Sequence, residues 1–419
     1  LAKKKETQAE RPLTKRQLTH WQKQALRQRI IAISGVVTIV AVVAVIVSGW
    51  YFKQYIPIDK PLQETVIEVN GQKFSMSYYV DAIEYFIGGQ TAYIQYALDP
   101  VVTNIEQIEL MRENSGSLGV TITDAEVNKQ IADNSLTSNK AVRDIIRGQL
   151  IREKLLSDYF GPKIPTSGEQ RDVLAMFVES QDQLDSVKAQ VDAGADFGQL
   201  AKNNSLESTT QGDSGALGSH ASGVFDYTVD TTGLDAAIFS QAVGTWGTYN
   251  DTSKTKSVGY WIVKITERNT DNTQVRLSSM LLGSMEEASS VKARLDAGED
   301  FTTLAQQYSQ NWSDTAKDDL GYITSDSTAV YKAFAFSTDN AVGSVSTVIK
   351  DTSATTKGGY WLFKSLSTVT QDLTSDDKTS LSNKAFNAWL TGLQADSANK
   401  ITSTLDDAKK AFATTQAGG

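Results

Sequence analysis

Cysteine is absent from the 419 residues and histidine occurs twice, at His20 and His220. Disulfides, zinc ribbons, thiol nucleophiles and a lipidated N-terminal cysteine are therefore excluded, and histidine-based metal or acid–base centres nearly so. A Ser-His-Asp triad is unavailable with so few histidines, and no GxxxxGK[ST] phosphate loop occurs. Neither a cofactor nor a metal is expected. Proline is scarce as well: all six (Pro12, Pro57, Pro61, Pro100, Pro162, Pro165) precede residue 166, which marks a composition boundary there. What remains is an ordinary balance of 40% hydrophobic and 21% charged residues, that of a globular chain of two to four units rather than a disordered or multi-span one.

Charge is divided along the chain. Residues 1–29 hold nine basic and two acidic side chains, a net of +7 within an overall −9, so the remainder carries −16. Between them runs Ile30 to Phe52, 23 residues without a charge, ending in Trp50, Tyr51 and Phe52. That length exceeds the roughly 20 residues that span a bilayer, and the aromatic end suits a membrane interface. The apolar core of a cleaved signal peptide is only about 7 to 15 residues. A retained anchor is expected, with the basic tail in the cytoplasm and the acidic bulk outside. A basic stretch beside a span is a topology signal or an anionic-lipid contact, so no nucleic-acid partner is expected.

Beyond the span the pattern from Gly71 to Phe160 is helical. Val142, Ile145, Ile146, Gln149, Leu150, Leu155 and Leu156 recur near a period of 3.6, and Thr123 with Glu126 reads as a capping box. Asn70-Gly71 reads as a tight turn. Tyr78, Tyr79, Tyr85, Tyr93 and Tyr96, with Phe74, Phe86 and Ile94, supply either core or a cleft for aromatic-rich client segments. After residue 170 the chain repeats itself. VKAQVDAGADF (Val187 to Phe197) matches VKARLDAGEDF (Val291 to Phe301) at eight of eleven positions with an offset of 104, and GYWIVKI (Gly259 to Ile265) matches GYWLFKS (Gly359 to Ser365) with an offset of 100. A period of this length is a duplicated domain, not a solenoid. From Asp372 the pattern is helical again, with Leu381, Ala385, Phe386, Trp389, Leu390 and Leu393 on one face. Such a face needs a partner, and the helical region before residue 165 is the economical one, with the repeats inserted between.

Three stretches carry a resemblance. Val66 to Val80, Val120 to Ile131 and the late helix holding Trp389 and Leu390 resemble the discontinuous helical chaperone domain of the SurA-like and PrsA-like extracytoplasmic foldases. The repeats resemble parvulin-type (PpiC-like) peptidyl-prolyl isomerase domains, through G-x-D-F-x-x-L-A at Gly194 to Ala201 and Gly298 to Ala305, a Leu-Gly turn, a Phe-containing short helix, and G-Y-x-I/L near the end. The resemblance implies an α+β chain: a single N-terminal transmembrane helix, a discontinuous all-α chaperone domain, and two inserted parvulin-like domains, each a small antiparallel sheet with helices. The expected boundaries are 1–29 for the tail, 30–52 for the anchor, 53–169 with 369–419 for the helical domain, and 170–268 and 273–367 for the repeats.

The implied chemistry is rotation of an X-Pro amide, with a barrier of about 18–20 kcal/mol and no bond broken. It calls for an apolar slot around the pyrrolidine ring and polar groups that favour the twisted amide. Carried over residue by residue, the slot is Leu217, Phe225 and Leu234 backed by Phe239 in the first repeat, the more complete one. In the second it is Leu320, Tyr331 and Phe336. The first family histidine falls on Ala175 and Ser279, the second on Trp261 and Trp361, and the acidic or thiol position on Glu207 and Asn311. Neither repeat keeps the His pair, so no catalytic residue is assigned, and His220 reads as a solvated residue of a Gly/Ser-rich loop. The expectation is a foldase anchored in a bacterial cytoplasmic membrane, binding unfolded or proline-containing client polypeptides, with weak isomerase activity. The rival expectations are a non-catalytic holdase and an assembly subunit of one membrane complex.

Overall fold

The computed structural model describes residue 34 and residues 36–418, so the basic tail expected at 1–29 lies outside the described residues. Helix α1 (Val36–Gln63), whose most apolar 18-residue stretch has mean hydropathy 2.0, is the one helix among the described residues long and apolar enough to cross a membrane. Its turns widen to π-type over Tyr51–Asp59, around Pro57. A proline has no N–H to donate and crowds the preceding turn, and a wider turn lets the helix continue past it.

One compact unit runs to Glu153 and takes up the chain again at Leu390. It opens with a hairpin, β1 (Thr65–Val69) and β2 (Gln72–Ser75). Asn70 (φ 50°) and Gly71 (φ 87°) turn it with the two positive φ angles that match strand twist. Ser75 caps α2 (Met76–Ile87), and α3 (Ile94–Asn114) packs against it, with the Tyr79 hydroxyl donating to the Leu98 carbonyl at 2.9 Å. The capping box of Thr123 and Glu126 opens α4 (Asp124–Asp133), followed by α5 (Lys140–Lys154).

The second compact unit spans Lys154–Trp389 and holds two four-stranded antiparallel sheets. Its elements are β3 (Ser167–Val178), α6 (Gln181–Asp192), α7 (Phe197–Asn204), α8 (Ser208–Gly212), β4 (Ala216–Ala221), α9 (Phe225–Thr228), α10 (Leu234–Ser240) and β5 (Trp246–Lys256). There follow β6 (Gly259–Arg268), β7 (Gln274–Leu282), α11 (Met285–Asp296), α12 (Phe301–Tyr308), β8 (Asp319–Thr324), α13 (Lys332–Phe336), β9 (Ile349–Asp351) and β10 (Thr356–Asp372). Asp196 and Asp300, the acids of the repeated G-x-D-F motif, cap α7 and α12 through the N–H groups of Gln199 and Thr303.

Strand order does not follow the order of the repeats along the chain. The sheets read β4-β3-β10-β5 and β8-β7-β6-β9. The expected last strand of the first repeat, β6, lies in the second sheet, and β10 lies in the first. Sequence similarity could not assign them, because the two strands are close copies and either suits a half-buried sheet. Residues 269–273 fold β6 and β7 into a hairpin, with Asn269 N–H on the Gln274 carbonyl at 3.1 Å.

After β10 the chain forms α14 (Ser375–Ala395), β11 (Ile401–Ser403) and α15 (Asp407–Ala417). Strand β11 pairs with β1, Val69 opposite Ile401, and α15 packs on α2 and α3. Both ends of the chain beyond α1 thus build one sheet-and-helix layer.

Candidate functional site

In the first sheet the slot residues are core. Leu217, Phe225 and Leu234 are 5%, 0% and 0% exposed and pack with Val173, Phe177, Trp361 and Phe363. Phe239 is partly buried on their edge, 6.2 Å from the Phe225 ring, with the Arg171 guanidinium 4.9 Å over its face. It also lines an apolar cavity of about 440 Å³ with Ile164, Pro165, Leu373, Leu381 and Ala385. Trp361, fully buried, fills the space beneath: its ring lies 5.0 Å from Phe177 and its N–H donates to Asp251 at 3.1 Å. Burial alone would raise the Asp251 pKa, but hydrogen bonds from Thr231, Trp361 and the N–H groups of Lys254 and Ser253 hold it below the usual range.

The other two family positions here are structural. Ala175 is fully buried. Glu207 caps α8, accepting from Thr209 N–H at 3.0 Å and Thr210 N–H at 2.7 Å.

The second sheet is more open. Leu320, Tyr331 and Phe336 are half-buried, and with Ile323 and Phe334 they cover a floor of Ile265, Val275, Leu277 and Ala335. Trp261, also half-buried, stands edge-on to Tyr331 at 5.4 Å and donates to Asp351 at 3.0 Å. Burial, then the charge of Asp351, raises the Tyr331 pKa, so its hydroxyl stays protonated. Ser279 is buried and accepts from the Asn311 amide at 3.2 Å, while the Asn311 carbonyl oxygen accepts from Ser309 and from Leu281 N–H. This network offers neutral dipoles and no group that titrates near neutrality.

The two sets differ in accessibility: Trp361 is packed into a core, while its sister Trp261 is half-buried against Tyr331. The two histidine positions also pair differently, Ala175 with Trp361 and Ser279 with Trp261, because β6 and β10 lie in each other's expected sheets. Ile323 and Phe334 belong to the half-buried cluster of the second sheet and escaped the sequence reading, since only their spacing within β8 and α13 marks them.

His220 is a further correction. It lies in β4, not in a solvated loop, with Nδ1 2.7 Å from an oxygen of Asp377, whose other oxygen accepts from Ala221 N–H at 3.1 Å. Asp377 is fully buried. The edge strand β4 meets the first turn of α14 there, which no local signal announces.

Residues 166–269 and 260–355 each match the family model of the PPIC-type PPIase domain, and the two matches overlap in 260–269, most of β6. Over 246 residues the chain is 28% identical to the chaperone SurA of Burkholderia lata, covering 54% of this chain and 49% of that protein. The SurA of Burkholderia orbicola matches to the same extent, so the chain spans about half the length of these relatives. Among solved structures, the PrsA peptidylprolyl isomerase of Bacillus anthracis aligns at 15% identity over 48% of this chain and 93% of its own, with a TM-score of 0.26. The foldase PrsA of Streptococcus pneumoniae aligns at 17% over 45% and 74%, with a TM-score of 0.24.

Proposed function

We propose, for a chain that resembles the SurA and PrsA foldases and carries two PPIC-type peptidyl-prolyl isomerase domains, that it is a membrane-anchored foldase which holds unfolded or newly translocated polypeptides and isomerises X-Pro bonds only weakly. The anchor is α1, in a bacterial cytoplasmic membrane, with the N-terminus in the cytoplasm and the bulk of the chain outside. Support for this placement comes from the apolar length of α1, the basic segment before it and the acidic remainder.

The observation that carries the reading is the half-buried apolar cluster of the second sheet. Half-buried Leu320, Tyr331, Phe334 and Phe336 beside Trp261 can take up a proline ring or another apolar side chain. Of Ser279 and Asn311, the Asn311 amide donates to the Ser279 hydroxyl, and neither supplies the facing rings of the family's His pair. A loss of a few kcal/mol in holding the twisted amide costs about two orders of magnitude, since 1.36 kcal/mol is tenfold in rate. In the helical unit Phe86, Tyr93 and Tyr96 are 55%, 55% and 77% exposed and give a second aromatic surface for clients. Missing histidines favour holding over catalysis, and this is the specific support for the non-catalytic holdase as second reading.

The test uses the full chain in detergent micelles. It should suppress aggregation of an unfolded client at near-stoichiometric ratios while barely accelerating an X-Pro peptide, and Phe336→Ala should weaken the first effect several-fold. An isomerisation rate comparable to that of a His-containing parvulin would restore the enzyme; no suppression at all would remove the foldase.

A further inference from the structure

The two repeats present the same acceptor for their last strand. In the first sheet Tyr360, Trp361 and Phe363 of β10 lie opposite Val178, Phe177 and Ala175 on β3, and opposite Asn250, Tyr249 and Gly247 on β5. In the second, Tyr260, Trp261 and Val263 of β6 lie opposite Leu282, Leu281 and Ser279 on β7, and Tyr260 and Trp261 opposite Lys350 and Ile349 on β9. Every shared pair is related by the offsets 104 and 100. The tryptophan contacts repeat too, Trp361 on Asp251 at 3.1 Å and Trp261 on Asp351 at 3.0 Å. Backbone pairing is therefore indifferent to which copy fills which sheet.

Side-chain size is not indifferent. Phe363 lies over Gly247, where a Cβ would sit 2.6 Å from the ring, and opposite Ala175. The second repeat has Ser279 in place of Ala175 and receives the smaller Val263. Reversing the strands would set a phenylalanine against Ser279, and a valine over a glycine and an alanine, one site overfilled and the other void. A second selector is length. Strand β10 runs on to Asp372, opposite Ser167, so the inserted segment enters and leaves as one antiparallel pair.

We propose that the two repeats are interlocked by reciprocal exchange of their last strands, selected by side-chain size at 263 and 363 and by the entry–exit ladder, so that the half-buried apolar cluster of the second repeat is completed by Trp261 from the first. The interlock is sealed at its crossings. The buried Lys256 ammonium donates to the carbonyls of Lys357 (3.1 Å) and Gly358, Glu179 accepts from Tyr260 O–H (2.9 Å) and Met285 N–H (3.3 Å), and Glu286 accepts from Asp182 N–H (3.2 Å). Each repeat thus supplies an acid to the first turn of the other's helix. This inference stands apart from client binding, and its test does not read activity.

Because the chain has no cysteine, engineered pairs report the topology directly. Facing residues of an antiparallel pair are within disulfide reach. In the full chain under mild oxidation, Ser278→Cys with Lys264→Cys should cross-link nearly completely, and Ser278→Cys with Lys364→Cys should not. In the first sheet, Leu174→Cys should cross-link with Lys364→Cys and not with Lys264→Cys. Circular dichroism confirms that each variant is folded, and peptide mapping identifies the bridge. Closure of the two opposite pairs, or failure of the Ser278–Lys264 and Leu174–Lys364 pairs in folded protein, overturns the exchange.

Discussion

Single residues in equivalent positions have acquired different physical duties. Trp361 fills a core and Trp261 stands half-buried beside Tyr331, so Trp361→Ala should cost about 3–5 kcal/mol, the cavity range for a buried aromatic, and Trp261→Ala only about 1 kcal/mol, as for a half-exposed side chain. Urea melts of the two variants check this, and equal losses would refute the asymmetry. Ser365 is another such residue: its hydroxyl is fully buried and the one side-chain polar atom among the described residues in that state without a partner, where the sister strand has Ile265. Removing a buried unsatisfied hydroxyl relieves a penalty of roughly 1–3 kcal/mol. Ser365→Ala should therefore be neutral or stabilising, read as the denaturation midpoint. Lys256 titrates unusually. Burial lowers its pKa from 10.5 to about 8, against the pull of Glu179 and Glu287. Between those values the unfolded chain binds a proton that the folded chain does not, so this group makes stability rise with pH over that window. The rise should flatten in Lys256→Met, measured as melting temperature from pH 7.5 to 10; an unchanged slope would assign it to other groups.

At the scale of elements, the sequence was most readable where a local rule governs. The capping box at Thr123 and the Asn-Gly turn at Asn70 are each a short-range rule, and each stands where the pattern put it, while the structure adds Asp196 and Asp300 of the repeated motif as a pair of caps. Phe386 and Leu390 are buried on the face that the period of α14 assigned to them. Apolar spacing could not distinguish slot from core, since Phe225 and Phe336 read alike and only the tryptophan supplied from a distant strand closes one and leaves the other half-open. The same blindness applies to His220, whose partner is 157 residues away.

For the whole molecule, chain ends meet in one layer. Deleting residues 396–419 removes β11, leaves β1 an open edge and strips α15 with its Lys410–Asp99 ion pair from α2 and α3. Hydrogen exchange should accelerate in β1, α2 and α3 and stay unchanged in β3 and β10; protection kept throughout would show that the C-terminal layer is dispensable. Topology is tested on spheroplasts, where external protease should remove the chain beyond α1. Protection of the large domain would place it in the cytoplasm instead.

The uncharged 23-residue run and the duplicated motifs determined by themselves a segment long and apolar enough to span a membrane and two related repeats, because hydropathy, caps and repeats are properties of neighbouring residues. Tertiary structure alone decided which sheet each last strand completes and which apolar cluster stays open. Both depend on the size of side chains that meet across a sheet, Phe363 over Gly247 and Ala175, 116 and 188 residues away, and Val263 beside Ser279, and no local pattern records which copy of the strand makes each meeting.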